Sequence, residues 1–368
     1  MDPRVKPSLL LASDANGINE IGVWYFREQR YEEAKKRFTE AINLSPKNVA
    51  YYHNRGCCFA AMQRFEDALK DAEKCVEIDP KFVKGFELQI DCHIVLGNLR
   101  SAQSSLLDLC KCTSHDWQFF ESRNGLVNSL FSYVNDYNRF MQIKDYASAL
   151  NVIDTAMKSS AFSFALKLMK AETLLCIKRY VDATNITNDV LKNIPNNLAA
   201  LYIRGKCYFL QEKFDEAIEN FEAVLCSYQH DEVTSILKKT KIKKAKKDGS
   251  DAMKFGNYAR AYNIYTEALF IDSSNNAENS KIYFNRSIAS DKLGNTNQAI
   301  QDCSEAIKLD NRYLKAFLKR AKLCFDVKMF HQSAKDYEQC YQIDNNPEYL
   351  DLQKQTMAEI FKSQLENT

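Results

Sequence analysis

The chain has 368 residues, and 50 Lys and Arg against 48 Asp and Glu leave a formal charge of +2, so no global field favours nucleic acid or an acidic membrane. Its 10 glycines and 6 prolines are about a third of average usage, too little turn chemistry for a sandwich, propeller or barrel of short strands. The composition points to an all-α chain of roughly two to three domains.

Near the start, Leu9-Leu10-Leu11-Ala12 is too short for a signal-peptide core, and no stretch approaches the ~18 uncharged apolar residues of a membrane span. The expected compartment is the cytosol, with no membrane partner. Twelve cysteines spread thinly through a long chain are expected to stay reduced. The close pairs Cys57-Cys58 and Cys110-x-Cys112 lack a second pair at zinc-finger spacing and read as small hydrophobes rather than metal ligands. The histidines His53, His93, His115, His230 and His331 are dispersed, and no Gly-rich phosphate loop, Gly-x-Ser-x-Gly elbow or Cys-His signature occurs. Neither catalysis nor a cofactor is expected.

Internal self-similarity is the dominant signal. The alanines of Tyr31-Glu32-Glu33-Ala34, Phe65-Glu66-Asp67-Ala68, Phe214-Asp215-Glu216-Ala217 and Tyr258-Ala259-Arg260-Ala261 align on a 34-residue period. With that alanine as position 20, nine repeats begin at Ala15, Val49, Val83, Leu130, Phe164, Leu198, Ile242, Ser280 and Leu314. Position 20 is then small in all nine, so two helices must nearly touch there. Position 8 is small in seven, Ile90 and Tyr137 being the exceptions; position 17 is Tyr or Phe in seven, Leu99 and Thr296 departing. The aromatic knob suits small residues on a neighbouring helix. Pro46, Pro80 and Pro195 share position 32, where a second helix must stop.

This pattern resembles the tetratricopeptide repeat, a helix-turn-helix unit, and implies an all-α, right-handed tetratricopeptide-repeat superhelix over residues 15–347. Starts are spaced by 34, 34, 47, 34, 34, 44, 38 and 34 residues, so the extra residues around 113–129 and 231–241 divide the array into triplets. The expected organisation is an N-terminal triplet over 1–112, a middle triplet over 113–229, a C-terminal triplet over 230–347 and a capping helix over 348–368. In that last stretch Tyr349, Leu350, Leu352, Met357, Ile360 and Phe361 recur at near-helical spacing, as expected of residues covering the exposed apolar end.

Peptide-binding members of the repeat family line a groove with the first helices of a triplet. Lys and Asn at positions 5 and 9 of the first repeat, Asn at 6 of the second, and Lys and Arg at 2 and 6 of the third hold the paired carboxylates of a C-terminal Asp. Charged donors and amides suit that task. By this resemblance the C-terminal triplet presents Lys246, Ser250, Asn285, Lys315 and Lys319, three matches and two conservative departures. The N-terminal triplet presents Asn19, Val23, Asn54, Lys84 and Leu88, keeping only Asn54 and Lys84 as the remnant of a second groove. The middle triplet presents Val134, Asn138, Met169, Ala199 and Ile203, which have no cation and read as packing residues or as a surface for an unfolded client segment. The basic run from Lys238 to Lys247 reads as a solvated helix face, an attractor of an acidic peptide, or a nuclear or nucleic-acid element.

A closer resemblance rests on Lys246-Lys247-Asp248-Gly249, Gly256-Asn257-Tyr258, Tyr265-Thr266-Glu267-Ala268-Leu269, Asn285-Arg286, Ala299-Ile300-Gln301-Asp302-Cys303 and Lys315-Ala316-Phe317-Leu318-Lys319-Arg320-Ala321. Upstream, Ala165-Leu166-Lys167, Lys170-Ala171-Glu172 and Leu201-Tyr202-Ile203-Arg204-Gly205 fit as well. These segments are similar to the DnaJ homologue subfamily C member 7 family of cytosolic co-chaperones. The resemblance implies a non-enzymatic, cytoplasmic adaptor, with a nuclear location left open, that binds the Glu-Glu-Val-Asp tails of 70 kDa and 90 kDa heat-shock chaperones. Two triplets carry clamps in that family; here one tail-binding groove is expected. The family's J domain bears His-Pro-Asp, whereas no histidine here precedes a proline. Chaperone capture without stimulation of ATP hydrolysis is therefore expected. The rival expectation is a structural scaffold whose grooves hold partners without free C-termini.

Overall fold

The computed structural model describes residues 14–112, 117–160, 163–227 and 229–365; the Leu9–Ala12 run lies outside them. The described residues form nineteen α-helices and no strand. In chain order the helices are α1 (Ala15–Arg27), α2 (Tyr31–Leu44), α3 (Val49–Ala61), α4 (Phe65–Ile78), α5 (Val83–Leu96), α6 (Leu99–Cys112), α7 (Trp117–Gln142), α8 (Tyr146–Ser159), α9 (Phe164–Cys176) and α10 (Tyr180–Asn193). They continue as α11 (Leu198–Leu210), α12 (Phe214–Ser227), α13 (Asp231–Lys254), α14 (Tyr258–Ala268), α15 (Asn276–Lys292), α16 (Thr296–Leu309), α17 (Leu314–Asp326), α18 (Phe330–Asp344) and α19 (Pro347–Leu365). None of the described helices is long and apolar enough to cross a membrane.

Position 17 opens all nine second helices, and position 1 opens six of the nine first helices. The others, α7, α13 and α15, begin 13, 11 and 4 residues before position 1. The described residues that lengthen the 34-residue spacing are thus mostly added helical turns. Helices α2, α4 and α10 stop two residues before Pro46, Pro80 and Pro195, because the residue preceding proline is driven out of the helical region.

Position 15 has a left-handed backbone in every repeat, with φ from +58° to +82° at Gln29, Gln63, Gly97, Lys144, Lys178, Glu212, Gly256, Gly294 and Lys328. A residue of this hand reverses the chain between the two helices of a repeat. At Gly97 a second constraint acts, since a Cβ there would lie 2.2 Å from that of Ala165.

All nine residues at position 20, from Ala34 to Ser333, have 0% exposure. At position 8 the approach is equally close: a Cβ on Gly249 would meet the Tyr265 ring at 2.4 Å. The two large exceptions are absorbed differently. Ile90 is buried in an apolar cluster with Ala102 and Leu106, while buried Tyr137 donates its hydroxyl to the Met169 carbonyl at 3.1 Å, which satisfies its polar end.

The helices form two compact units, Met1–Gln211 and Glu212–Thr368. In the first, apolar side chains of α5 to α9, among them Phe86, Leu109, Val127 and Ile153, share one cluster. In the second, Ile242, Tyr265 and Ile282 join α13, α14 and α15.

Helix α19 packs on α18. Its buried stripe is Thr356 and Ile360 with half-buried Leu352, and Thr356 satisfies its hydroxyl on the Leu352 carbonyl. Met357 and Phe361, expected in the covering face, are exposed at 41% and 62%. Each follows a stripe residue by one position, a rotation of about 100° away from the contact.

Candidate functional site

Lys246 and Ser250 stand on α13, Asn285 on α15, and Lys315 and Lys319 on α17, the first helices of three successive repeats within the second unit. Lys315 is exposed and, among the described residues, has no ion pair or hydrogen bond. Half-buried Asn285 keeps its side-chain amide unbonded. Ser250 lies at an exposed concavity shared with Phe214, Lys243 and Lys246.

The remaining two cations are engaged by carboxylates of α15. Lys246 donates to Glu278 Oε2 at 2.8 Å and Lys319 donates to Asp291 Oδ2 at 2.6 Å. Glu278 also accepts from Lys281 at 3.0 Å. Partial burial pushes the Glu278 carboxyl up, but the two lysines outweigh it and hold the group below the ordinary glutamate range.

The basic run on α13 is also less free than a solvated face. Lys241 pairs with Glu222 at 2.7 Å, Lys244 with Asp215, Lys247 with Glu212 at 3.9 Å and Lys238 with Asp272 at 3.7 Å. The run is pinned chiefly to α12 and the turn before it, so most of its charge is answered within the unit.

At the N-terminal candidate positions, Asn54 donates one amide N–H to Asn19 at 2.9 Å across α3 and α1. Lys84 is exposed on α5, and Leu88 packs toward Gly56. Beside them, His53 sits with a ring nitrogen 3.7 Å from Cys57 Sγ; burial lowers its pKa, with an Asn54 hydrogen bond opposing and Lys84 reinforcing that shift. In the middle groove Ile203 is buried, Met169 packs on the α5–α9 cluster and Val134 is half-buried, so these side chains serve internal packing.

A polar network escaped the sequence reading. Arg55, Arg286 and Arg320, at position 7, each clasp an aspartate sixteen residues on, Asp71, Asp302 and Asp336, through two bonds of 2.7–3.0 Å. The free Nη1 of each reaches Thr39, Thr266 or Ser304 in the preceding repeat at 2.9–3.3 Å. Each clasp ties a first helix to its own second helix and to the repeat before it. Asn54, Asn285 and Lys319 immediately precede these arginines, so the clasps anchor the helices that present groove residues. Its sequence signal is an Arg–Asp pair at a fixed offset of 16, recurring in three repeats.

Comparison with known proteins agrees with this architecture. Tetratricopeptide repeat profiles match residues 15–48, 49–82 and 280–313, and an "Anaphase-promoting complex, cyclosome, subunit 3" profile matches 142–224. The solved P58(IPK) tetratricopeptide-repeat domain superposes with a TM-score of 0.52 at 17% identity, covering 95% of this chain and 99% of that one, a likeness of fold. DnaJ homolog subfamily C member 7 from Homo sapiens is 34% identical over 355 residues, covering 95% of this chain and 71% of the relative. The Dictyostelium discoideum homolog is 29% identical, with 90% and 62% covered. With a repeat fold throughout and this identity along nearly its whole length, the chain belongs to the DnaJ homolog subfamily C member 7 family of tetratricopeptide-repeat co-chaperones.

Proposed function

We propose that the chain is a co-chaperone adaptor whose C-terminal triplet, residues 230–347, binds the acidic Glu-Glu-Val-Asp tail of 70 kDa and 90 kDa heat-shock chaperones. The observation that carries this reading is the placement of Lys246, Asn285, Lys315 and Lys319 on three successive first helices, with Lys315 exposed and uncommitted. In this reading Lys315 and Lys319 hold one carboxylate of the terminal Asp, Lys246 and Asn285 the other, and Ser250 contributes a weaker bond. Charge-assisted bonds contribute about 1.5–3 kcal/mol each, but ordering the peptide offsets much of their sum, giving an affinity on the order of micromolar.

A second reading, a scaffold without tail recognition, draws support from Glu278 and Asp291, which already occupy two of the cations. Titration of the chain with free-acid and C-terminally amidated Glu-Glu-Val-Asp peptides separates the two. The adaptor binds the free acid and loses most of that affinity on amidation; the scaffold treats both peptides alike.

A further inference from the structure

Resting on the tail-binding reading, we propose that Glu278 and Asp291 are specificity determinants of this groove: built-in carboxylates that hold its outer lysines apart and that a ligand must replace one for one. Glu278 lies in the first turn of α15 and Asp291 in the last, thirteen residues apart, which at 1.5 Å per residue is about 20 Å along the axis. Asn285, the amide at the centre of the groove, lies between them, seven residues from one and six from the other. Lys246 reaches α15 from α13 and Lys319 reaches it from α17, and the ion pairs draw their ammonium groups to opposite ends of the same helix. The two carboxylates of a terminal Asp are only a few ångströms apart. Both lysines must therefore leave their partners before they converge on such a ligand beside Asn285.

Glu278 owes its place to an irregularity of the array. The repeat that precedes Ser280 is four residues longer than the 34-residue period, and those four residues become the added first turn of α15. A first helix that began at position 1 would have no turn there. Both acids are only partly covered, with side chains 32% and 30% exposed, so water and a competing anion can reach them. Glu278 also repels an acidic peptide approaching Lys246, which adds to the competition. The groove consequently selects ligands that bring two carboxylates, because a single one leaves the other lysine held by the chain's own acid.

The test is calorimetric titration of the full chain and its E278Q, D291N, E278Q/D291N and K315E variants with the free-acid and amidated Glu-Glu-Val-Asp peptides. Each single neutralisation is expected to tighten free-acid binding about fivefold and to shrink the amidation penalty without removing it, while K315E abolishes binding. Equal free-acid affinity for wild type and E278Q/D291N, with amidation still weakening both, overturns the competition and leaves the tail-binding reading standing. Absence of binding in every form, or indifference to amidation, overturns the tail-binding reading and the competition with it. Circular dichroism of each variant confirms that a lost affinity is not a lost fold.

Discussion

Arg286 and Asp302 are joined by two parallel hydrogen bonds, Nη2 to Oδ1 at 2.7 Å and Nε to Oδ2 at 3.0 Å, with Asp302 only 1% exposed. Removing one partner strands the other as an uncompensated buried charge, whereas replacing both with apolar groups removes the charges together. Asp302→Ala is expected to destabilise the second unit by about 3–5 kcal/mol, and Arg286→Met with Asp302→Leu by clearly less. Guanidinium denaturation of the three chains checks this; equal losses would mean that packing rather than charge sets the cost.

The left-handed position of each repeat is occupied by a residue with a side chain in six of nine cases. Lys144, Lys178 and Lys328 are exposed there, so their substitution disturbs no packing. Left-handed geometry costs an L-residue roughly 1–2 kcal/mol, part of which glycine returns through its freer unfolded chain. Each Lys→Gly change is expected to stabilise the protein by about 0.5 kcal/mol, and the matching Lys→Ala change to give no gain. A melting series with both substitutions at Lys178 decides between strain and side-chain chemistry.

The Glu278 carboxyl is held below its ordinary value of 4.5. Because the folded value lies below the unfolded one, its contribution to stability is complete above about pH 4.5 and is lost as pH falls through the folded value. Lys246→Met is expected to move the titration of Glu278 upward, as followed by carboxyl carbon resonances. An unmoved titration would leave Lys281 as its sole effective partner.

Thiol chemistry should divide the cysteines by burial. Desolvation pushes the thiols of Cys58, Cys75 and Cys340 up to about 12 and those of Cys303 and Cys324 to about 11. Since the thiolate is the nucleophile, these groups are expected to resist maleimide until the chain unfolds, while exposed Cys110 and Cys226 label first. Peptide mapping of a labelling time course reads the order directly.

Asn54 is committed to Asn19, and Val23 and Leu88 offer a carboxylate no donor. Lys84→Glu should therefore leave affinity for the free-acid tail unchanged in the full chain, in contrast to Lys315→Glu. A drop of tenfold or more at Lys84 would place a second tail site in the first triplet.

The all-α repeat fold was legible because its signals are short-ranged and recur. The small residue at position 20 and the residue at position 17 set the register of the repeats, and position 17 is the first residue of every second helix in the structure. Extra length carries no such period. The residues before Leu130 and Ile242 therefore read as breaks, although their described parts extend first helices. In α19, the apolar residues outnumber the positions that one stripe can bury, and only packing against α18 reveals that Met357 and Phe361 are left out. The candidate site divided in the same way: Lys246, Asn285, Lys315 and Lys319 are proposed from their positions in a repeat motif, whereas the partners Glu278 and Asp291 arise from side-chain reach between helices. No residue spacing within α15 announces that Lys246 lies beside one end and Lys319 beside the other.

Three first helices grow backward past the point where their repeats begin, and each added stretch sets a charged side chain against another helix. Arg123 of α7 meets Asp91 of α5 at 2.7 Å, Lys241 of α13 meets Glu222 of α12, and Glu278 of α15 meets Lys246 of α13. Growth at that end propagates an existing helix instead of closing a new loop, and every residue from position 1 onward keeps its register. Insertions here are nearly invisible to the repeat core but deliver new chemistry to neighbouring helices. For a lineage of such arrays, the start of the first helix is a place where variation can be tried on a binding surface without renegotiating the architecture beneath it.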